Sequence, residues 1–376
     1  MNKRNVFLLC LIGFLQGMVF YAPVATLYRQ ASGIGIFEIS LIESISLILS
    51  ILLEIPWGIA ADKIGYRKTM MICCGLFFAS KIIFWKADGF GMFLLERILL
   101  GITCAGLSGV DTGMLFLSCG DGDSHRVFGI YENMQEGGLL LAAVIFTLWI
   151  GNNYRLAGFL TAVSYGAAML LAIFLQEVKT AEKTYTGIRE SMGILRGQLQ
   201  DRKLICFLVG IALVNGIHQM VTVFLNQLQY VRAGMTAEMI SLAFIPLSIA
   251  GVAGGLSSRL CAVVGARRMG KLLILGSLIC CVILSVTLHP LMSVLSVIGL
   301  RLCYSLLQPL QWEQQNRRIS TGNRATALSM NAVILNSIPV FLNLLLGFTA
   351  EVSLTGAMLV NMLLCTVSLG LYSKVW

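Results

Sequence analysis

"GIAADKIGYRK", residues 58–68, places two glycines and four charges within eleven residues. Apolar runs flank it: "IFEISLIESISLILSILLEIPW" (36–57) before it and "TMMICCGLFFASKIIFW" (69–85) after it. Each run approaches the roughly 20 residues that a helix needs to cross a bilayer. A link this short leaves room only for a tight reversal, so the chain crosses, turns and crosses back. Gly65 suits the turn because it tolerates positive φ. Gly58 lets neighbouring helices approach closely. Asp62 is an anion near the membrane surface, able to pair with Arg67 or to cap a helix N-terminus, where partial positive charge favours an anion.

The same pattern extends over the whole chain. The 376 residues are 57% hydrophobic and 12% charged, with a mean hydropathy of +0.84. Soluble domains carry about 25% charged residues. Hydrocarbon admits only helices or closed barrels, because backbone polar groups must be satisfied internally, and these runs are too long for barrel strands. The expectation is an all-α integral membrane protein with twelve spans, near 5–28, 38–60, 69–87, 90–118, 126–150, 154–176, 203–230, 236–262, 270–289, 291–312, 324–349 and 353–373. The start, "MNKRNVFLLCLIGFLQG", reads as an uncleaved first helix, since its apolar run continues past any small-residue cleavage site.

The longest polar stretch (176–203) divides the chain into a six-helix bundle at 1–176, a cytoplasmic linker at 177–202 and a second six-helix bundle at 203–376. The bundles repeat. Gly65, Arg67 and Lys68 recur 200 positions on as Gly265, Arg267 and Arg268. Arg126, opening span five, recurs as Arg324, and Arg97 in span four as Arg301 in span ten. Shared offsets at matching spans point to duplicated, pseudo-symmetric halves. With both termini inside, twenty Lys and Arg fall on inner segments and four on outer ones. That is a strong positive-inside signal and indicates a multi-pass protein of the cytoplasmic membrane with cytoplasmic termini. The net charge of +9 thus serves orientation, and no nucleic-acid partner is expected. Eleven cysteines without a C-x-x-C pair argue against a metal or disulfide framework. No Walker motif is present, so ATP-driven pumping by this chain is not expected.

The loop that opened this section fits G-x-x-x-D-[RK]-x-G-x-[RK]-[RK] at every position, through Gly58, Asp62, Lys63, Gly65, Arg67 and Lys68. It resembles the signature between the second and third helices of the major facilitator superfamily (MFS). The likeness extends to twelve spans, a central cytoplasmic loop, a degenerate second copy (Gly255, Arg259, Gly265, Arg267, Arg268) and "ERILLG", whose Arg97 and Gly101 match an R-x-x-x-G pattern. The resemblance implies a non-enzymatic secondary active transporter. It would move a small molecule by alternating access, without a cofactor, on a proton gradient, as a monomer in the lipid bilayer. It also implies that Gly58, Asp62, Gly65, Arg67 and Lys68 form a conformational charge latch. The wording "LLEIPWGIAAD" is similar to bacterial facilitators described as exporters. Drug-exporting antiporters carry a glycine-proline pattern after the position of Gly138, whereas this chain reads "GGLLLAAVIF".

Ionisable residues within spans are costly and mark cavities or partners. Here they are Glu43, Glu54, Glu96, Arg97, Asp111, Glu132, Glu136, His218, Arg301 and Glu313. Spans three, six, nine and twelve carry almost none. Lys81 is the exception, placed near an outer end where it is expected to snorkel. At about 1.5 Å per residue, Glu43 and Arg97 share one depth, Asp111 and Glu132 share another, and Glu136 lies nearer the midplane. In span seven, Asn215, His218, Gln219, Thr222, Asn226 and Gln229 share a face; span ten offers Arg301, Ser305, Gln308 and Trp312. The substrate and proton cavity is therefore expected from Glu43, Arg97, Asp111, Glu132, Glu136, Asn215, His218, Gln219 and Arg301, with Glu132 or Glu136 carrying the proton or a cationic substrate group. Two rival readings are an intramembrane serine protease built on "GLSG" (106–109) with His218 or His289 as base, and a non-transporting sensor on the same fold.

Overall fold

The structure, a computed structural model, describes residues 2–107, 110–119, 124–151, 153–178, 200–318 and 324–375. Within its helices, the side chains of Asp62, Glu132, Arg126, Trp312 and Glu313 lie outside the described set, as do the surroundings of Gly58. Most of the expected linker and Ser108 of the "GLSG" reading lie outside the described residues too. Among the described residues the regular elements are helices, and eleven are long and apolar enough to cross a membrane. The chain forms two compact units. One comprises Met1–Ile34, Ile45–Lys183 and Ala237–Ile245; the other comprises Gly35–Ser44, Thr184–Thr236 and Pro246–Trp376.

The first unit contains α1 (Lys3–Gly17), α2 (Ala25–Ala31), most of α3 (Ile36–Ile64), α4 (Tyr66–Lys86), α5 (Phe90–Leu107), α6 (Val110–Cys119), α7 (Ser124–Ile145) and α8 (Tyr154–Ala172). The first expected span is thus broken after Gly17. A break leaves backbone groups that lipid cannot satisfy, and α8 supplies their partners. Ser164 Oγ donates to the Leu15 carbonyl at 2.6 Å, Tyr165 Oη donates to the Gln16 carbonyl at 2.5 Å, and Phe20 N donates to Thr161 Oγ1 at 3.0 Å. Arg29 is buried in α2 with its guanidinium carbon 5.5 Å from the Phe84 ring centroid.

Small residues set the approach of α1 to α7, as expected where lipid gives no hydrophobic drive between helices. A Cβ on Gly17 would lie 2.1 Å from the Gln135 carbonyl oxygen, and one on Gly138 would lie 2.1 Å from that of Phe14. The ends of the first unit also meet. The Asn5 side chain donates to the Gln176 carbonyl and accepts from Gln176 N, both at 2.9 Å. Arg4 donates to the Phe174 carbonyl at 3.0 Å.

The reversal between α3 and α4 is made at Gly65, with φ +92°. Its cap comes from outside the motif. Glu177 Oε1 accepts from Tyr66 N at 2.9 Å and both of its carboxylate oxygens lie 3.3 Å from Arg67 N. An anion at a helix N-terminus satisfies orphan N–H groups and the local dipole.

The second unit contains α9 (Arg202–Gln219), α10 (Asn226–Arg232), α12 (Ser257–Val264), α13 (Ala266–Val286), α14 (Pro290–Arg318), α15 (Arg324–Val352) and α16 (Leu354–Lys374). A π-helical segment, Met220–Leu225, joins α9 to α10, interrupting the half's first span about 200 positions after the break in α1. Gly265 turns the chain into α13 with φ +84°, repeating Gly65. The eighth expected span is not one regular helix. α11 (Ala237–Gly251) has 15 residues and passes through a 3-10 stretch, Val252–Leu256, into α12. Pro246 and the glycines of "GVAGG" weaken the α-helix here. The same glycines admit a neighbour: a Cβ on Gly254 would lie 3.0 Å from the Ser305 carbonyl oxygen of α14.

Candidate functional site

Each unit carries its own set of buried polar side chains. In the first, α6 offers Asp111 and α7 faces it with Tyr131. The phenol donates to Asp111 Oδ2 at 3.1 Å and accepts from Gln135 Nε2 at 3.2 Å. Glu136 follows Gln135 directly and is half-buried. The close α1–α7 crossing at Gly17 and Gly138 fixes this end of α7 against α1, so the row Asp111–Tyr131–Gln135 is held on a rigid element. A carboxylate inside a membrane protein is costly without partners, and this row supplies Asp111 with one.

The second cluster of that unit lies between α4 and α5. Lys81 does not snorkel. Its side chain is buried, and Nζ donates to Tyr21 Oη at 3.1 Å and lies 3.8 Å from Glu96 Oε1. The rings of Tyr165, Phe77 and Tyr21 surround it with centroids at 5.2, 5.3 and 5.8 Å. Glu96 is fully buried, and its Oε2 lies 3.3 Å from Arg97 Nε. Arg97, expected at the depth of Glu43, thus has an ion-pair partner in its own helix. Glu43 is buried in α3 within the segment that belongs to the second unit.

In the second unit α9 and α14 face each other. His218 stacks on Tyr304, with centroids 3.6 Å apart and planes at 5°. His218 Nε2 lies 3.2 Å from Thr222 Oγ1, in the π segment. Arg301 lies one turn before Tyr304 on α14. It lies against the bare backbone of Gly251, where a Cβ would meet its Nη2 at 2.7 Å. Gln308 bonds the Tyr304 hydroxyl, and Asn215 Nδ2 donates to Gln311 Oε1 at 3.5 Å. Gln219 is half-buried where the α-helix gives way to the π segment. π segments of this kind recur at functional sites.

The structure therefore brings together Asn215, His218 and Arg301 in one unit, and ties Asp111 to Tyr131 and Gln135 in the other. The polar ridge of α14 runs through Arg301, Tyr304, Gln308 and Gln311. The expected stripe included Ser305, whose hydroxyl instead donates to the Arg301 carbonyl of its own helix at 2.8 Å. Of the latch residues, Gly65 makes the turn, Arg67 Nη2 donates to the Ile173 carbonyl at 2.9 Å, and Lys68 is exposed. Tyr131, Gln135, Tyr304, Gln311 and Glu177 are the functional candidates that spacing did not single out. Tyr131 and Gln135 were legible as an i, i+4 pair on the ridge next to Glu132 and Glu136.

A multi-span helical bundle with polar and charged residues buried along its helices is the architecture of an integral membrane protein. Comparison with known proteins makes the class specific: the profile of the Major Facilitator Superfamily matches residues 6–343, and the chain belongs to that family. A stretch of 107 residues is 32% identical to an uncharacterized MFS-type transporter, MJ1560, of Methanocaldococcus jannaschii, and spans 27% of this chain and 27% of that relative's length. Among solved structures, a point mutant of the nucleoside transporter NupG superposes with a TM-score of 0.86 at 14% identity, covering 99% of both chains. A bacterial homologue of the human lysosomal transporter Spinster gives 0.77 at 14% identity over 100% of this chain and 96% of that one. A D-xylose-proton symporter gives 0.78 at 12% identity over 100% and 98%. At these identities the likeness establishes the fold. The family is one of transporters rather than enzymes.

Proposed function

We propose that the chain is a proton-coupled secondary transporter that moves a small solute across the cytoplasmic membrane by alternating access, with export as its direction. It works as a monomer with both termini in the cytoplasm, and draws on the proton gradient rather than on a cofactor. The observation that carries the reading is the partly buried row Asp111–Tyr131–Gln135, whose last member precedes Glu136 in the sequence of α7. Burial disfavours a carboxylate anion and nearby donors favour it. A carboxyl that exchanges such surroundings during a cycle takes up and releases a proton. Glu136 is the proton carrier in this reading, with Glu132 four residues before it on the same helix. His218, Tyr304, Arg301 and Asn215 in the second unit supply the solute contacts. The D-xylose-proton symporter supports proton coupling as a use of this fold.

The test uses purified protein in proteoliposomes loaded with a pH-sensitive dye. A panel of nucleosides, sugars, organic anions and organic cations is screened for solute-driven proton movement. Wild type should respond to at least one class, and Glu136→Gln should abolish the proton signal. Unchanged proton movement in both Glu136→Gln and Glu132→Gln would overturn the assignment of the carrier. Solute flux without any proton movement would overturn the coupling itself.

A further inference from the structure

The rings of His218 and Tyr304 lie 3.6 Å apart and 5° from parallel, and each is tied locally. Thr222 Oγ1, on the π segment, lies 3.2 Å from His218 Nε2 and donates to the His218 carbonyl at 2.8 Å. On α14, Gln308 Nε2 donates to the Tyr304 hydroxyl. His218 is buried, at 7% exposure, whereas Tyr304 is half-buried. Among the described residues, His218 is the only ring stacked on Tyr304. The imidazole is thus the back of the stack and the phenol its front. Asn215 precedes His218 by three residues on α9, and Gln308 and Gln311 follow Tyr304 by four and seven on α14, so each set lies on the helix face that carries the stack. Asn215 Nδ2 reaches Gln311 Oε1 only at 3.5 Å, which is long for a hydrogen bond. Asn215 Oδ1 is buried and accepts no hydrogen bond. A buried acceptor left unmet is costly, and in a native protein it calls for an explanation.

We infer that Tyr304, backed by His218, is a stacking platform for an uncharged, flat heteroaromatic ring whose N–H edge is read by Asn215. This rests on the reading that these side chains supply the solute contacts, and it names the chemical class of the solute. A third ring extends two parallel ones from the less buried side, in offset register. The groups beside the platform are amides and a hydroxyl, which read hydrogen-bonding edges and offer a cation no countercharge. Arg301, one turn before Tyr304, already has an interaction of its own, so an anion is not the favoured class. A ring N–H that donates to Asn215 Oδ1 meets the orphaned acceptor. A ring without that donor leaves it unmet, and sites built to hydrogen-bond a ligand strongly reject the analogue that lacks the donor.

The experiment measures binding to the purified protein in detergent, by calorimetry and melting-temperature shift, and proton movement in dye-loaded proteoliposomes. The probes are uracil and adenine, each beside its fully N-methylated form, with benzoate as a flat anion and xylose as an uncharged ring that is not flat. Wild type should bind at least one parent ring, and bind it at least tenfold tighter than the methylated form. Tyr304→Leu should weaken that ring by about tenfold or more, and Tyr304→Phe, which keeps the platform, by much less. Asn215→Ala should reduce the preference for the parent ring over its methylated form several-fold. This variant leaves the stack in place and carries the test where Tyr304→Leu does not fold. Binding of neither parent ring, equal binding of parent and methylated forms, or wild-type binding by a folded Tyr304→Leu overturns the inference. So does a response confined to benzoate or xylose. Ring binding without proton movement sinks the coupled-transport reading and leaves the platform standing; proton-linked flux of xylose or benzoate alone does the reverse.

Discussion

Gly137 and Gly138 are neighbours on α7, yet alanine should act on them in opposite directions. A Cβ on Gly138 would sit 2.1 Å from the Phe14 carbonyl oxygen, 3.1 Å from the carbon of that carbonyl and 3.3 Å from the Gly17 carbonyl carbon. Non-bonded heavy atoms rest at roughly 3.5 Å, so α1 must withdraw from α7 by about 1 Å. The obstacle is backbone and cannot rotate aside. Overpacking of this kind costs about 1–3 kcal/mol, against which alanine recovers about 1 kcal/mol of helix propensity. Nothing lies within 4 Å of a Cβ on Gly137, so only the propensity gain of about 1 kcal/mol remains there. Gly138→Ala should therefore melt below wild type and Gly137→Ala at or above it. A thiol-reactive dye suits the assay, because Cys73, Cys74, Cys281 and Cys365 are buried and react only on unfolding. Gly138→Ala should also lose solute-driven flux, since the same crossing positions Gln135. Equal melting temperatures for the two variants, or the reverse order, would refute the close-approach argument.

The two turn glycines offer a second comparison. Gly65→Ala should be the more damaging, because φ +92° is compounded by the Glu177 carboxylate 2.6 Å from the new Cβ, whereas Gly265 has φ +84° and open space. Gly265→Ala should cost only the backbone strain of about 1–2 kcal/mol; thermal melts of both settle the order. Glu177→Ala removes the cap on α4 and should lower stability by about 0.5–2 kcal/mol, with Glu177→Gln intermediate, read by the same melts. Tyr131→Phe removes one donor to Asp111 and one acceptor for Gln135; it should cost about 1 kcal/mol in stability and slow proton-linked flux in the dye-loaded liposomes.

Much of the architecture was legible because lipid is an unforgiving solvent. Long apolar runs admit one local structure, and the recurrence of Gly65 as Gly265 appears in the structure as the same positive-φ turn. Legibility failed where side chains from distant parts of the chain decide the outcome. A lone Lys81 near a span end reads as a snorkelling cation. Only Tyr21, 60 positions before it, and Tyr165 on α8 make a buried site for it. Glu177 was read as part of the linker, and its role appears once the end of α8 is brought beside Tyr66 N. In "GVAGG", Gly251 and Gly254 take close neighbours, and the run of small residues also ends the α-helix. On α14, spacings of three and four both fit a helical face, so Ser305 and Tyr304 were equivalent on paper. The backbone decides between them, because the serine hydroxyl bonds the Arg301 carbonyl while the tyrosine ring covers His218.

The reciprocal pair between Asn5 and Gln176 bears on how such a chain can be rearranged. It stitches the start of the first six-helix segment to its last helical end, so both ends of that segment leave from one point. A segment with its ends side by side can be copied in tandem without its two ends being drawn apart. Residues 1–178 and 200–376, expressed as two polypeptides, keep every hydrogen bond of that seam on a single fragment.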